Sequence, residues 1–410
     1  VYGTAARPRA GLVAPLGGGP SLTEPHLAGP VVVRDRLPAD EFLRLPSYEE
    51  VSSDPRAFAV MTRDLLAELA APSPRTMVQP HQGRFLWHLQ PAAPLTTGEL
   101  DALYRLPFTR RVHSMYGQER VPALETVRHS ITTHRGCFGG CSFCALALHQ
   151  GLIVTSRSAE SIVDEARRLS EAADFAGTIT DVGGPSANMY GASCARAPGG
   201  RGCARASCLY PRVCPQLRAD AGPSIGLWSL LRRLPRVRHV FVASGIRFDL
   251  ANLHPEYIRE LVLHHTGGHL KVAPEHVSDS VLRRMRKPPR REFERFLEWF
   301  TQFRPPKVYL VPYMMSSHPG CTDRDMTAAA DFLREHRLAV EQVQDFIPIP
   351  GTLAAAMYHS GLDPETLEPV FVEKSDGGKL RQRHALDRPG QGAVGFKKRM
   401  SKETSGKRPR

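Results

Sequence analysis

Residues Cys137-Phe138-Gly139-Gly140-Cys141-Ser142-Phe143-Cys144 place three cysteines at C-x3-C-x2-C spacing on a glycine-rich loop. Soft thiolates select iron–sulfur, zinc or copper(I) over hard cations. Three of them are one too few to close a tetrahedral site, so the loop is expected to hold a centre with an open coordination position. A 4Fe-4S cluster on this spacing would have three irons ligated by protein and the fourth left free. Gly136, Gly139 and Gly140 allow the backbone to curl around a bulky inorganic core and to aim amides at its sulfides. Phe143, just before the last cysteine, is placed to lay an aromatic face beside a ligand on the open iron. A closed zinc knot is the alternative reading of the residues, because His149 completes a C-x3-C-x2-C-x4-H pattern.

The run from Arg135 to Leu146, followed by His149-Gln150-Gly151 and Ser156-Arg157-Ser158, resembles the radical S-adenosylmethionine (SAM) signature and, within it, the YgiQ family. The likeness continues through Asp181 to Tyr190, Ala243-Ser244-Gly245-Ile246-Arg247, Ala273-Pro274-Glu275-His276, Ser316 to Gly320 and Glu341 to Phe346. Upstream it includes Leu45 to Val51, so it covers residues 40 to 375. The resemblance implies a radical SAM enzyme in which Cys137, Cys141 and Cys144 hold a 4Fe-4S cluster whose open iron chelates SAM. A one-electron donor such as flavodoxin would drive cleavage of SAM to a 5′-deoxyadenosyl radical acting on an unknown substrate. Residues Val343 to Thr352 resemble the end of the catalytic domain in tRNA methylthiotransferases, which makes RNA the first substrate expectation and a protein or small metabolite the second. A non-catalytic zinc-bound RNA-binding module is the alternative function.

Past the cysteine loop, short β-branched runs alternate with amphipathic stretches, the pattern of βα units around a parallel sheet. Strands are expected at Ser130 to Thr133, Thr178 to Val182, Val240 to Ala243, Leu270 to Ala273, Val308 to Val311 and Val343 to Ile347. Helices are expected at Pro255 to His265, Glu292 to Phe303 and Met326 to His336, and Ser158 reads as an N-cap whose helix buries Ile162, Ala166 and Leu169. The fold class is therefore α/β, and the resemblance implies a partial (β/α)6 TIM-type barrel.

Active sites of such barrels lie at the C-terminal ends of the strands. Gly183 and Gly184 follow the second strand and are expected to offer backbone carbonyls to the amino group of SAM, although Pro185 stands where many radical SAM proteins have an acidic residue. Ser244 and Arg247, after the third strand, are the candidates for its carboxylate or ribose, and Glu275, His276 and His318 line the same rim. Blander roles stand beside these: a salt bridge to Asp249 for Arg247, and a helix cap for His276.

Cys194, Cys203, Cys208 and Cys214 form a second group, spaced C-x8-C-x4-C-x5-C among arginines in an insertion over residues 189–223. So little apolar sequence surrounds them that core packing does not explain them, and a metal is expected, as zinc or a second Fe-S cluster, with free structural thiols as the alternative. Cys321 stands alone and reads as a buried or incidental thiol.

Residues 1–40 are expected to be disordered and of low complexity, 41–125 to be the end of a family N-terminal domain, 126–375 the barrel and 376–410 a disordered basic tail. The chain opens on Val1 rather than Met, so a fragment or processed form is expected. Of the formal charge of +13, much sits from Lys379 onward, where eleven Lys and Arg face two acidic residues. Salt-dependent contact with RNA is the specific use of such a tail. No run approaches the roughly eighteen apolar residues of a membrane helix. Eight cysteines without a secretion signal suggest a reducing, cytoplasmic setting in which thiols serve metals.

Overall fold

A computed structural model of the chain describes residues 31–117, 119–196, 203–341 and 343–386. Residues 1–30 of the low-complexity segment, 197–202 of the insertion and 387–410 of the expected tail lie outside the described residues.

The N-terminal part is a four-stranded sheet. Val31–Arg34 pairs antiparallel with Arg84–His88, which pairs antiparallel with Thr76–His81, which in turn runs parallel to Phe42–Arg44. Between the parallel strands, Tyr48–Ser53 opens on a capping box in which Ser47 and Glu50 satisfy each other's free amides. The longer Pro55–Ala70 begins with Asp54 as N-cap and proline in its first turn. Phe58 of that helix meets His359 edge-on at 4.7 Å, tying this part to the domain that follows.

That domain builds a parallel sheet in chain order. Ser130–Thr132 pairs with Asp181–Gly183, and Thr178–Ile179 with His239–Val240, both parallel. A parallel bridge joins Ile246 to Val272, and His269–Glu275, Tyr309–Ser316 and Val343–Asp345 complete the succession. Helices lie in the chain between Ser130–Thr132, Asp181–Gly183, His239–Val240, His269–Glu275, Tyr309–Ser316 and Val343–Asp345. The strand faces bury Ile131, Ile179, Val182, Val240, Leu270 and Val272 at 2 % exposure or less.

The helices cover this core through the residues that the periodicity selects. Ser158 caps Ala159–Ser170 by accepting from the Ser161 amide at 3.1 Å, and Ile162, Ala166 and Leu169 are buried. Pro255–His264, Arg290–Phe303 and Asp323–Glu335 fall where helices are expected. Arg290–Phe303 presents Phe293, Phe296, Leu297 and Phe300 inward, each contributing roughly 1.5–3 kcal/mol of burial.

Two boundaries differ from the sequence reading. Val31–Arg34, inside the segment expected to lack structure, is a strand because its β-branched run completes the edge of the N-terminal sheet. Asp376–His384, inside the expected basic tail, is a helix. Its buried Gln382 donates to the Cys321 carbonyl at 3.1 Å and accepts from the Ser317 amide at 2.9 Å, so polar bonds rather than an apolar stripe dock it. Among the described residues no helix is long and apolar enough to cross a membrane.

Candidate metal centre and cofactor site

The cysteine loop leaves the end of Ser130–Thr132 through His134–Arg135. Gly136, at φ +89°, has no room for a side chain: a Cβ would sit 2.0 Å from the Ile153 carbonyl oxygen. Gly140, at φ +63°, would drive a Cβ to 2.4 Å from the Ala206 oxygen. A Cβ at Gly139 would lie 3.3 Å from Cys137 Sγ, 4.0 Å from Cys141 Sγ and 3.4 Å from Arg247 Nη1. The bare backbone at Gly139 thus lets two thiols and a guanidinium share one space.

Burial raises the pKa of the Cys137 thiol, and the neighbouring Cys141 adds to the effect while the Gly139 amide, Arg247 and Lys287 oppose it. Cys144 is pushed up to about 11, chiefly by burial, against an amide bond from Leu146. Burial thus works against ionising Cys137 and Cys144 without a partner, and a soft cationic centre fits the donor set. The zinc-knot alternative does not fit: His149 is exposed, and among the described residues no three His, Cys, Asp or Glu side chains are gathered to hold a single metal ion. Zinc would need its sulfurs all about 2.3 Å from one point, whereas a cubane presents its irons at separate corners.

Arg247 forms the salt bridge to Asp249 expected of it and also reaches the cysteine loop. Its Nε and Nη2 donate to Asp249 at 2.9 and 2.7 Å, and its Nη1 reaches Cys141 Sγ at 3.3 Å. Burial opposes its charge, but Asp249 and the cysteines prevail and raise its pKa. Burial likewise penalises the Asp249 carboxylate, and Arg247 more than compensates. Asn188 holds the backbone of Arg247, donating to its carbonyl at 2.8 Å and accepting from its amide at 2.9 Å.

Of the glycine pair, Gly183 is engaged within the sheet. The Gly183 carbonyl accepts from the Thr133 amide at 2.8 Å and the Thr133 hydroxyl at 3.2 Å, so its oxygen is taken up by the sheet. Gly183 is instead small for Ser244, whose Oγ a Cβ would meet at 2.6 Å. Ser244 is engaged by Asp181, which accepts its amide at 2.9 Å and its hydroxyl, so it braces the strand-end loop. Gly184 lets the buried His134 ring approach, to within 2.6 Å of where a Cβ would stand.

Phe143 packs against the core and meets His318 edge-on at 6.0 Å. His276 lies just before a helix whose N-cap is Ser278: its Nδ1 accepts the Ser278 amide at 3.0 Å, and its Nε2 lies 3.5 Å from Cys321 Sγ. Burial raises the pKa of the Glu275 carboxyl against Lys287 and Arg247. Glu275 and Ser317 hold φ of +69° and +60° at successive strand ends, a conformation that side chains avoid unless the surroundings impose it.

Sequence reasoning missed Lys287, Asp181 and Asn188. Lys287 is 6 % exposed and acts electrostatically on Cys137, Cys144, Asp249 and Glu275. It ends the basic run Arg283-Arg284-Met285-Arg286-Lys287, which reads as a solvated face. Asp181 and Asn188 stood within a matched motif but had no distinguishing spacing.

A cavity of about 570 Å³ opens on Cys141 and Cys144 from the outer side of the loop. Its wall includes Leu66 and Leu69 of Pro55–Ala70, Leu353, and Cys194, Cys203 and Cys208 of the second group. Gly183, Gly184, Ser244 and Arg247 do not line it. Arg247 thus meets the cysteine loop outside this cavity, while Cys194, Cys203 and Cys208 share its wall with Cys141 and Cys144.

Residues 1–130 match the model of the radical SAM N-terminal region, and residues 131–333 that of the radical SAM superfamily. A parallel α/β domain with three cysteines on its first strand-end loop and this match is a radical SAM domain. A UPF0313 protein of Methanosarcina acetivorans is 46 % identical over 360 residues, covering 86 % of this chain and 48 % of the relative. The UPF0313 protein YgiQ of Escherichia coli is 40 % identical over 352 residues, 84 % of this chain and 47 % of the relative. The chain belongs to this UPF0313, or YgiQ, family of radical SAM proteins, and a 4Fe-4S cluster and SAM are the cofactors that membership brings. It spans about half the length of the curated relatives it matches. Among solved structures, the radical SAM methyltransferase TsrM of Kitasatospora setae with cobalamin and a [4Fe-4S] cluster bound is similar at a TM-score of 0.38 and 17 % identity, over 66 % of this chain and 43 % of that one. A likeness that distant carries no functional argument.

Proposed function

We propose that the chain carries the catalytic core of a radical SAM enzyme, with Cys137, Cys141 and Cys144 as ligands of its cluster. The observation that carries this is the meeting of the Cys137 and Cys141 thiols and the Arg247 guanidinium around the bare backbone of Gly139. When bound, the cluster and SAM supply a one-electron cleavage that yields a 5′-deoxyadenosyl radical able to abstract hydrogen from substrate.

The residues of this chain position and shield. Arg247 and Lys287 put positive charge beside the cysteine ligands, which favours a more reduced centre and attracts the SAM carboxylate. Phe143 and Gly184 remain the candidates for contact with SAM, as an aromatic wall and a backbone carbonyl. The packed core and the edge-on Phe143–His318 pair keep water from this side. A flavodoxin-type donor and an RNA substrate belong to the same proposal; RNA is supported by the resemblance of Val343 to Thr352 to tRNA-modifying enzymes.

The test is Cys141→Ala in anaerobically reconstituted, reduced protein. It is expected to abolish cluster assembly at this site together with formation of 5′-deoxyadenosine, and unchanged 5′-deoxyadenosine would reject the assignment. Deuterium transfer into 5′-deoxyadenosine from labelled RNA or metabolite pools then identifies the substrate class.

A further inference from the structure

The proposed reaction makes no use of Cys194, Cys203, Cys208 and Cys214, yet the fold gathers them against the cysteine loop. Cys194 ends the two-residue strand Ser193–Cys194, opposite Leu217 of the antiparallel Leu217–Arg218. The Cys214 amide donates to the Cys208 carbonyl at 2.8 Å and the Leu217 amide to the Cys214 carbonyl at 3.0 Å, so the chain from Cys208 onward turns back toward Cys194. This segment is fastened to the first loop: the Cys208 amide donates to the Phe138 carbonyl at 3.0 Å, and the Ser207 hydroxyl to the Gly139 carbonyl at 2.7 Å.

All four cysteines are free and half-buried. Burial pushes the Cys208 thiol up to about 11, and Cys214, Cys194 and Cys203 are close enough to add to the effect. The nearby cation, Arg205, has its guanidinium turned to the carbonyls of Ser207, Tyr210 and Arg212. The apolar packing beside the group is a small cluster centred on Phe138, Met189, Ala192, Leu209 and Leu250, against which Cys208 packs. Four converging soft donors with no structural partner are a ligand set.

We propose that Cys194, Cys203, Cys208 and Cys214 hold a second, fully ligated 4Fe-4S cluster beside the cavity onto which Cys141 and Cys144 open. The choice of cluster over zinc rests on arrangement. Zinc needs its sulfurs all about 2.3 Å from one point, and among the described residues no three His, Cys, Asp or Glu side chains are so gathered, whereas a cubane takes its thiolates at separate corners. The second group has four cysteines, one for each iron, so no iron is left to bind SAM. Cys194, Cys203 and Cys208 meet the same cavity as Cys141 and Cys144, so a substrate seated there touches both centres. Leu66, Leu69 and Leu353 on its wall limit solvent access to both.

The test is metal and sulfide content of the anaerobically reconstituted chain, with electron paramagnetic resonance of the reduced protein. The parent chain is expected to carry eight irons, and Cys208→Ser with Cys214→Ser to carry four. The triple variant Cys137→Ala, Cys141→Ala, Cys144→Ala is expected to retain four irons with a reduced-cluster signal that SAM does not alter. Circular dichroism establishes that each variant is folded, and the triple variant reads the second site even where loss of Cys208 unfolds its segment. A parent with four irons and a triple variant with none would overturn the second cluster while leaving the first intact. One zinc per chain that is lost with Cys208 and Cys214 would overturn it equally.

Discussion

Arg247 joins a buried carboxylate to the cysteine loop, with Nη1 at 3.3 Å from Cys141 Sγ while Nε and Nη2 stay 2.9 and 2.7 Å from Asp249. Removing the guanidinium by Arg247→Met would leave Asp249 charged and unpaired at 5 % exposure. Breaking a buried pair from one side costs about 3–5 kcal/mol. The double variant Arg247→Met, Asp249→Leu removes both charges and is expected to recover most of that loss in urea unfolding. A single variant as stable as the parent would show that the pair is not structural.

The same contact has an electronic consequence. A cation beside a ligating sulfur stabilises the state with more negative charge, so Arg247→Met is expected to make the cluster on Cys137, Cys141 and Cys144 harder to reduce. A redox titration followed by electron paramagnetic resonance reads this as a midpoint displaced to more negative potential. An unchanged midpoint would mean that the guanidinium serves Asp249 alone.

Gly140→Ala tests how closely the two cysteine segments must approach. Its Cβ would stand 2.4 Å from the Ala206 oxygen and 2.8 Å from Ser207 Cβ, at a φ of +63° that alanine resists. Strain of about 1–3 kcal/mol is expected at such a residue, before any movement of the Ala206 segment. The measurable outcome is a lower unfolding midpoint together with reduced iron incorporation. Gly245→Ala, where a Cβ meets nothing within 4 Å, is the control and is expected to change neither.

What could be read from residues alone was local. The thiol spacing, the Ser158 cap and the apolar faces of the helices each depend on neighbours a few positions away, and the structure keeps them. The contacts that define the site are long-range. Arg247 and Cys141 lie 106 residues apart, and their approach has no local signature. Gly183 looked like a free carbonyl because nothing in its own motif shows that Thr133, 50 residues earlier, takes it up. The helix Asp376–His384 was hidden for another reason: its composition is polar and basic, and it docks by hydrogen bonds, which hydropathy does not register.

That helix makes a separate prediction. Gln382→Ala would strand the Ser317 amide and the Cys321 carbonyl in the interior, and an unsatisfied buried polar group costs about 1–3 kcal/mol. Truncation after Gly378 is expected to destabilise the chain, since it also removes the Arg383 contact to Asp345 at 2.9 Å. Truncation after Leu386 spares both contacts, and equal unfolding midpoints for the two truncations would refute the docking role.

Acid is expected to loosen the strand-end rim through three histidines. Burial lowers His134 to about 4, His276 to about 4 and His318 to about 3, with Asp325 partly opposing the effect at His276. The unfolded chain takes up these protons near pH 6.5, whereas the folded chain refuses them until far lower. Their contribution to stability is therefore full above about pH 6.5 and is lost as the pH falls toward 4, by up to about 1.4 kcal/mol per unit for each histidine. His276 shows why in atoms: its Nδ1 accepts the Ser278 amide, so protonation there removes the acceptor of that amide at the start of the following helix. Urea midpoints at pH 7.5 and pH 5 measure the slope, and His276→Gln, which titrates no proton, is expected to flatten it. A slope unchanged by His276→Gln would place the acid sensitivity elsewhere.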